Sequence, residues 1–133
     1  MAQFRILVAD DEDYLTQILQ SNLQRRGYEV AVARDGLAAY ELAVKLVPDL
    51  VISDYQMPVL DGLALCIRLK ETLATAHIPA LMLTARGHRL TPEELERTNI
   101  RAVLPKPFSI RELIPKIESL LNGQSAAVRK AAG

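Results

Sequence analysis

Four short stretches of this chain carry side chains that can do chemistry together: Asp10-Asp11-Glu12, Ser53-Asp54, Thr84-Ala85 and Lys106-Pro107. Brought to one place, Asp10, Asp11 and Asp54 would repel one another by about 1–4 kcal/mol per pair at about 4 Å, depending on how wet the site is. No fold needs that repulsion for stability. A divalent cation offsets it, and oxygen ligands select Mg²⁺, Ca²⁺ or Mn²⁺ over softer metals. Lys106 adds a fixed positive charge and Thr84 a hydroxyl donor. Groups of this kind stabilise a transferring phosphoryl group, and an aspartate carboxylate can serve as the nucleophile. The chemistry indicated is phosphorylation of Asp54.

For that chemistry the four stretches must meet. Five short apolar runs supply the means: Phe4–Ala9, Val30–Ala33, Leu50–Ile52, Ala80–Leu83 and Ile100–Leu104. Runs without clean alternation read as strands covered on both faces, as in a parallel sheet. The first, third and fourth are the most apolar, so they should be central.

Between the runs lie amphipathic stretches. Leu15, Ile18, Leu19 and Leu23 form one helical face that ends at Gly27, a natural C-terminal cap position. Asp35 can cap a second helix, which stops before Pro48. A third helix fits Leu63 to about Leu73. Thr91-Pro92-Glu93-Glu94 and Ser109-Ile110-Arg111-Glu112 are capping boxes that open a short fourth helix and a fifth.

Strands and helices in strict alternation predict an α/β fold, a doubly wound five-stranded parallel sheet with five helices. In such sheets ligands bind outside the carboxyl ends of the strands. All four reactive stretches stand at predicted strand ends, so Asp10, Asp11, Asp54, Thr84 and Lys106 should converge at one shallow site. Residues 1–122 form the predicted domain. Residues 123–133 lack apolar periodicity and read as a flexible tail.

Composition bounds the function. The 133 residues carry 16 Lys/Arg and 16 Asp/Glu, for zero net charge. That argues against a mainly electrostatic grip on nucleic acid. The balance is uneven, with net −5 over residues 1–66 and net +5 over 67–133, and all seven aspartates at or before Asp61. Cys66 is the single cysteine, which suggests a reducing compartment. No apolar run reaches membrane-span length, and no signal peptide is evident. The expected location is therefore the cytoplasm.

Taken together, Ile6-Leu7-Val8-Ala9-Asp10-Asp11-Glu12, Asp54-Tyr55-Gln56-Met57-Pro58 with Asp61-Gly62, Leu83-Thr84-Ala85 and Lys106-Pro107-Phe108 resemble the receiver domain of two-component response regulators. The likeness covers about residues 4–122. Steps of 44, 30 and 22 residues, from Asp10 to Asp54, Thr84 and Lys106, also suit that family. It implies a flavodoxin-like fold in which Asp54 accepts a phosphoryl group from a histidine kinase or phosphotransfer protein. Asp11 would be a direct Mg²⁺ ligand, and Asp10 one acting largely through water. Asp54 and the backbone carbonyl of Gln56 would complete the set. Thr84 would be the switch hydroxyl and Lys106 the lysine that pairs with the phosphoryl group, followed by a cis Lys106-Pro107 bond. The Gln56 and Arg86 side chains would tune the lifetime of the phosphorylated state. The output would pass to a downstream protein target or an output domain absent from this chain, with no direct contact to nucleic acid or membrane. The molecule would be a signalling switch that catalyses only its own phosphorylation and dephosphorylation.

Two positions depart from the family pattern. Val103 stands where an aromatic ring is usual, and Asn99-Ile100 where Gly-Ala is common. Both bear on the readout surface, not on the acceptor.

Other readings compete. An Asp-nucleophile phosphatase typically needs an acid/base carboxylate two residues after the nucleophile, where this chain has Gln56. A phosphorylation-independent adaptor on the same fold does not need the intact acceptor set. A dinucleotide-binding fold lacks its Gly-x-Gly-x-x-Gly after the first strand. Asp10 and Asp11 could instead cap a helix, Asp61-Gly62 reads as a turn, and Cys66 as core filler. His77 and His88 receive no role.

Overall fold

The computed structural model describes the backbone of residues 3–132 and the side chains of residues 3–122. Five strands alternate with five helices: β1 (Arg5–Ala9), α1 (Asp13–Arg25), β2 (Glu29–Ala33), α2 (Gly36–Leu46), β3 (Leu50–Asp54), α3 (Gly62–Glu71), β4 (Ala80–Thr84), α4 (Pro92–Glu96), β5 (Ile100–Pro105) and α5 (Ile110–Ala132). The strands pair in parallel in the order β2-β1-β3-β4-β5. The three most apolar runs occupy the three central places.

Successive strand residues point to opposite faces, and here both faces are covered. Ile6, Val8, Leu50, Ile52, Leu81 and Leu83 join Leu19 and Leu23 of α1 and Leu113 and Ile117 of α5 in one core. Leu7, Ala9, Val51 and Met82 point the other way, into a second core with Ala39 and Ala43 of α2 and Leu65, Cys66 and Leu69 of α3. Two-sided burial explains why β1, β3 and β4 are apolar without alternation.

Local signals end the elements where the chemistry requires. Gly27 follows α1 at φ +94°, the left-handed region that glycine enters at no steric cost. Asp35 accepts a hydrogen bond from the Ala38 N–H at 2.7 Å and caps α2. The Thr91–Glu94 box closes on both sides at 2.8 and 3.1 Å and opens α4. At α5, the Glu112 N–H donates to Ser109 Oγ at 3.2 Å and the Ser109 N–H to Glu112 Oε1 at 3.4 Å.

Two expectations need correction. Asp61 is more than a turn residue: it caps α3 by accepting from the Ala64 N–H at 2.8 Å. α3 ends at Glu71, short of Leu73, because Thr72 leaves helical geometry at ψ 121°. The helical backbone of α5 extends to Ala132, past the boundary at residue 122 that the sequence suggests for the domain. Ala126, Ala127, Ala131 and Ala132, with Arg129 and Lys130, are strong helix formers, so helix propagates where apolar periodicity has stopped. Gly133 lies outside the described residues.

Candidate phosphoacceptor site

The parallel register brings the strand ends together. Ala9 pairs with Ser53, Asp54 with Leu83, and Thr84 with Pro105. Between β4 and β5 the register shifts by one residue after the Ala80–Ile100 pair, so that Leu81 faces Ala102. A bulge of this kind re-aims the rest of the strand. The Lys106 N–H then donates to the Thr84 carbonyl at 2.8 Å, and the lysine side chain turns in over the end of β3. The Lys106-Pro107 bond is cis.

Lys106 is the hub of the site. Its Nζ lies 3.0 Å from Asp10 Oδ2, 3.1 Å from Glu12 Oε1 and 3.4 Å from Asp54 Oδ2. Asp10 is fully buried and Asp54 is 8% exposed. Burial pushes the Asp54 carboxyl above the usual range and Asp10 repels it further, against the pull of Lys106 and the Gln56 backbone. Burial also works against the Lys106 charge, but its bonds to Asp10 and Glu12 and the charge of Asp54 outweigh this and raise its pKa. Three carboxylates face one ammonium, and an excess of negative charge remains.

Asp10, Glu12 and Asp54 each offer an oxygen within 4.8 Å of the others. A hard divalent cation fits such a set, which supplies oxygen donors and surplus negative charge. Asp11 is exposed and stands outside this group, although the sequence reading makes it the direct ligand. Glu12 reaches the cluster for a local reason. The Glu12 N–H donates to Asp10 Oδ1 at 2.9 Å, a tight turn that folds the Glu12 side chain back onto Lys106. Glu12 is also the N-cap residue of α1 but makes no side-chain capping bond. The capping explanation for Asp10 and Asp11 therefore falls.

Thr84 is 1% exposed, and its Oγ1 has no hydrogen-bond partner among the described residues. A buried hydroxyl left unpaired costs about 1–3 kcal/mol. Such an atom at the end of the strand beside Asp54 marks a place built for a further oxygen.

The loop after Asp54 is clamped in place. The Gly62 N–H donates to the Tyr55 carbonyl at 2.8 Å. A Cβ on Gly62 would collide with the Asp54 carbonyl oxygen, and one on Gly36 with the carbonyl of Leu60. Glycine is required at both positions for close packing. Val59 is strained: it sits at φ 71°, with the Leu60 N–H bonded back to the Pro58 carbonyl at 2.8 Å. That conformation is rare for a β-branched residue and typical of functional loops.

Glu12, Asp54, Tyr55, Gln56, His88 and Lys106 line a cavity of about 210 Å³ here. The structure thus unites Asp10, Asp54 and Lys106, with Thr84 at the adjoining strand end, and leaves Asp11 and Arg86 exposed. Sequence reasoning missed Glu12, Tyr55 and His88 as members of the site. Glu12 lay next to a recognised pair, but nothing in the sequence distinguishes His88 from His77.

Known proteins share this fold. The chain is 38% identical over 117 residues to the DNA-binding dual master transcriptional regulator RpaA of Synechocystis, covering 88% of this chain and 48% of that protein. It spans about half the length of the curated relatives it matches. A crystal structure of a putative response regulator from Chloroflexus aurantiacus superposes with TM-score 0.83 at 32% identity, over 91% of this chain and 99% of that one. The receiver domain of a sensor histidine kinase from Pseudomonas aeruginosa, solved with a magnesium ion coordinated in its active-site cleft, matches with TM-score 0.80 at 25% identity. That match covers 91% of this chain and 99% of the other. The family model of the response regulator receiver domain matches residues 6–118, and the chain belongs to that family.

Proposed function

We propose that Asp54 accepts a phosphoryl group from the phosphohistidine of a sensor kinase or phosphotransfer protein, in a Mg²⁺-dependent reaction. The observation that carries this is the unpaired, buried Thr84 hydroxyl at the strand end beside Asp54, with Lys106 alongside. An Asp54 carboxylate oxygen attacks phosphorus and forms a P–O bond. The P–N bond to the donor histidine breaks, and the imidazole keeps the electron pair. Lys106 holds the Asp54 oxygen and meets the incoming negative charge, and Thr84 donates to a phosphoryl oxygen.

Asp10, Asp11, Asp54 and the Gln56 carbonyl are the proposed holders of the cation, and Glu12 joins them on the strength of its position in the cluster. When bound, the cation supplies neutralisation of the carboxylates and of the phosphoryl oxygens. Phosphorylation adds about −1.5 to −2 charge and strong acceptor oxygens. Thr84 and Lys106 reorient to meet them and bias a protein-interaction surface. The output is binding to a downstream protein or to a linked output domain, so the protein acts as a switch and turns over only its own phosphoryl group. No helix among the described residues is long and apolar enough to cross a membrane. With a single buried cysteine, the cytoplasm is the proposed location.

Intact-mass spectrometry after incubation with acetyl phosphate, with and without Mg²⁺, tests the reading. Wild type should gain one phosphoryl group only with Mg²⁺, and Asp54→Asn none. If wild type gains none under either condition, the adaptor reading replaces this one.

A further inference from the structure

The acceptor cavity contains two rings that the phosphotransfer chemistry above does not use. Tyr55 directly follows Asp54, and His88 lies four residues beyond Thr84. Their ring centroids are 4.4 Å apart at an interplanar angle of 53°, close to the separation at which aromatic rings attract. Both line the same cavity as Asp54, Gln56 and Lys106. Each ring is tied to a strand end. The Tyr55 N–H donates to the Leu83 carbonyl at 2.8 Å, and the His88 N–H to the Ala85 carbonyl at 3.0 Å, closing a turn directly after Thr84. His88 is exposed and Tyr55 half-buried, whereas Asp54 is buried beneath. The pair therefore joins the loop after β3 to the loop after β4 on the solvent side of the acceptor.

We propose that the Tyr55–His88 ring pair is a gate that restricts the approach of water to phosphorylated Asp54 and so sets its lifetime. This rests on the phosphoacceptor reading. In hydrolysis a water oxygen forms a bond to phosphorus, and the bond from phosphorus to the Asp54 oxygen breaks. The electron pair returns to the carboxylate, and inorganic phosphate leaves with one of the water's protons while the other passes to solvent. The water must arrive roughly in line with the bond that breaks, and the rings line the cavity beside Asp54, where the phosphoryl group would sit. His88 is thus a positioning residue that acts through the ring of Tyr55. Neither ring needs to donate or accept a proton.

The test loads wild type, His88→Ala and His88→Phe with acetyl phosphate and Mg²⁺, removes the donor, and follows loss of the phosphoryl group by intact mass. His88→Ala should shorten the half-life roughly two- to tenfold, the factor that a ring contact of this class is worth. His88→Phe keeps a stacking ring without the imidazole and should restore the wild-type lifetime. An unchanged lifetime in His88→Ala overturns the gate while leaving Asp54 as acceptor. So does a His88→Phe variant that decays as fast as His88→Ala, because the imidazole rather than the ring would then be responsible. A wild type that never takes up a phosphoryl group overturns the acceptor reading, and the gate with it.

Discussion

Within the single strand β3, two regions are built to opposite rules. Leu50, Val51 and Ile52 are fully buried and apolar, flanked by β1 and β4 and covered by helices on both faces. Two residues on, Asp54 is almost as buried, yet it carries a carboxyl beside Asp10 and Glu12 with one lysine among them. Burial stabilises the first region by about 1.5–3 kcal/mol per large side chain and works against the charge in the second. The same edge adds an unpaired Thr84 hydroxyl and a strained Val59. The strand bodies stabilise the molecule, and the strand ends give up part of that stability to a cluster of buried charge and an unpartnered hydroxyl.

Three substitutions can break or sharpen that contrast. The largest effect belongs to the strand body. Ile52→Ala removes a fully buried side chain from the core shared by β3, α1 and α5 and should destabilise by about 2–5 kcal/mol, read from urea melts. A loss below about 1 kcal/mol would mean that the central strand does not dominate stability.

The second belongs to the junction between the regions. Gly62→Ala drives a methyl group into the Asp54 carbonyl and against Met82. It should cost about 1–3 kcal/mol and also slow phosphorylation of Asp54, because the acceptor backbone must shift. Stability lost with phosphorylation at the wild-type rate would show that the clamp serves the fold alone.

The smallest effect has the opposite sign. Asp54→Asn removes a charge that burial and Asp10 disfavour. Without Mg²⁺ at pH 7 it should stabilise by about 1 kcal/mol, the scale of one like-charge pair in a partly wet site. The sign of the pH dependence is set by the raised folded-state pKa. Between the unfolded value and the folded one, the folded protein holds more protons than the unfolded chain. Wild type therefore recovers stability as pH falls through that window. The advantage of Asp54→Asn should be full above the folded-state pKa and shrink below it. Thermal melts of both proteins from pH 7 to pH 4 check this, and an advantage that grows toward acid would contradict it.

The fold was readable because its signals are local. Apolar runs, Asp35, Gly27 and the two capping boxes act over a few residues, and each acts in the structure as its spacing implies. The alternation of strand and helix then leaves few ways to assemble a parallel sheet. Beyond residue 122 apolar periodicity stops, while the helical backbone of α5 runs on through an alanine-rich segment to Ala132. The convergence of Asp54, Thr84 and Lys106 was also visible, since a parallel sheet gathers whatever residues end its strands.

What the amino-acid sequence determined by itself, then, is which strand ends meet and which charges they carry. Tertiary structure alone decided which side chains turn inward. A hydrogen bond from the Glu12 backbone to Asp10 folds Glu12 toward Lys106. A one-residue register shift precedes the pairing that seats Lys106 beside Thr84. The approach of Gly62 to Asp54, and of His88 to Tyr55, depends on loops that fold against neighbours distant in the chain. The physical reason is one of range. Propensity and periodicity act within a turn or two of helix or strand, whereas the direction of a buried side chain is set by what packs against it.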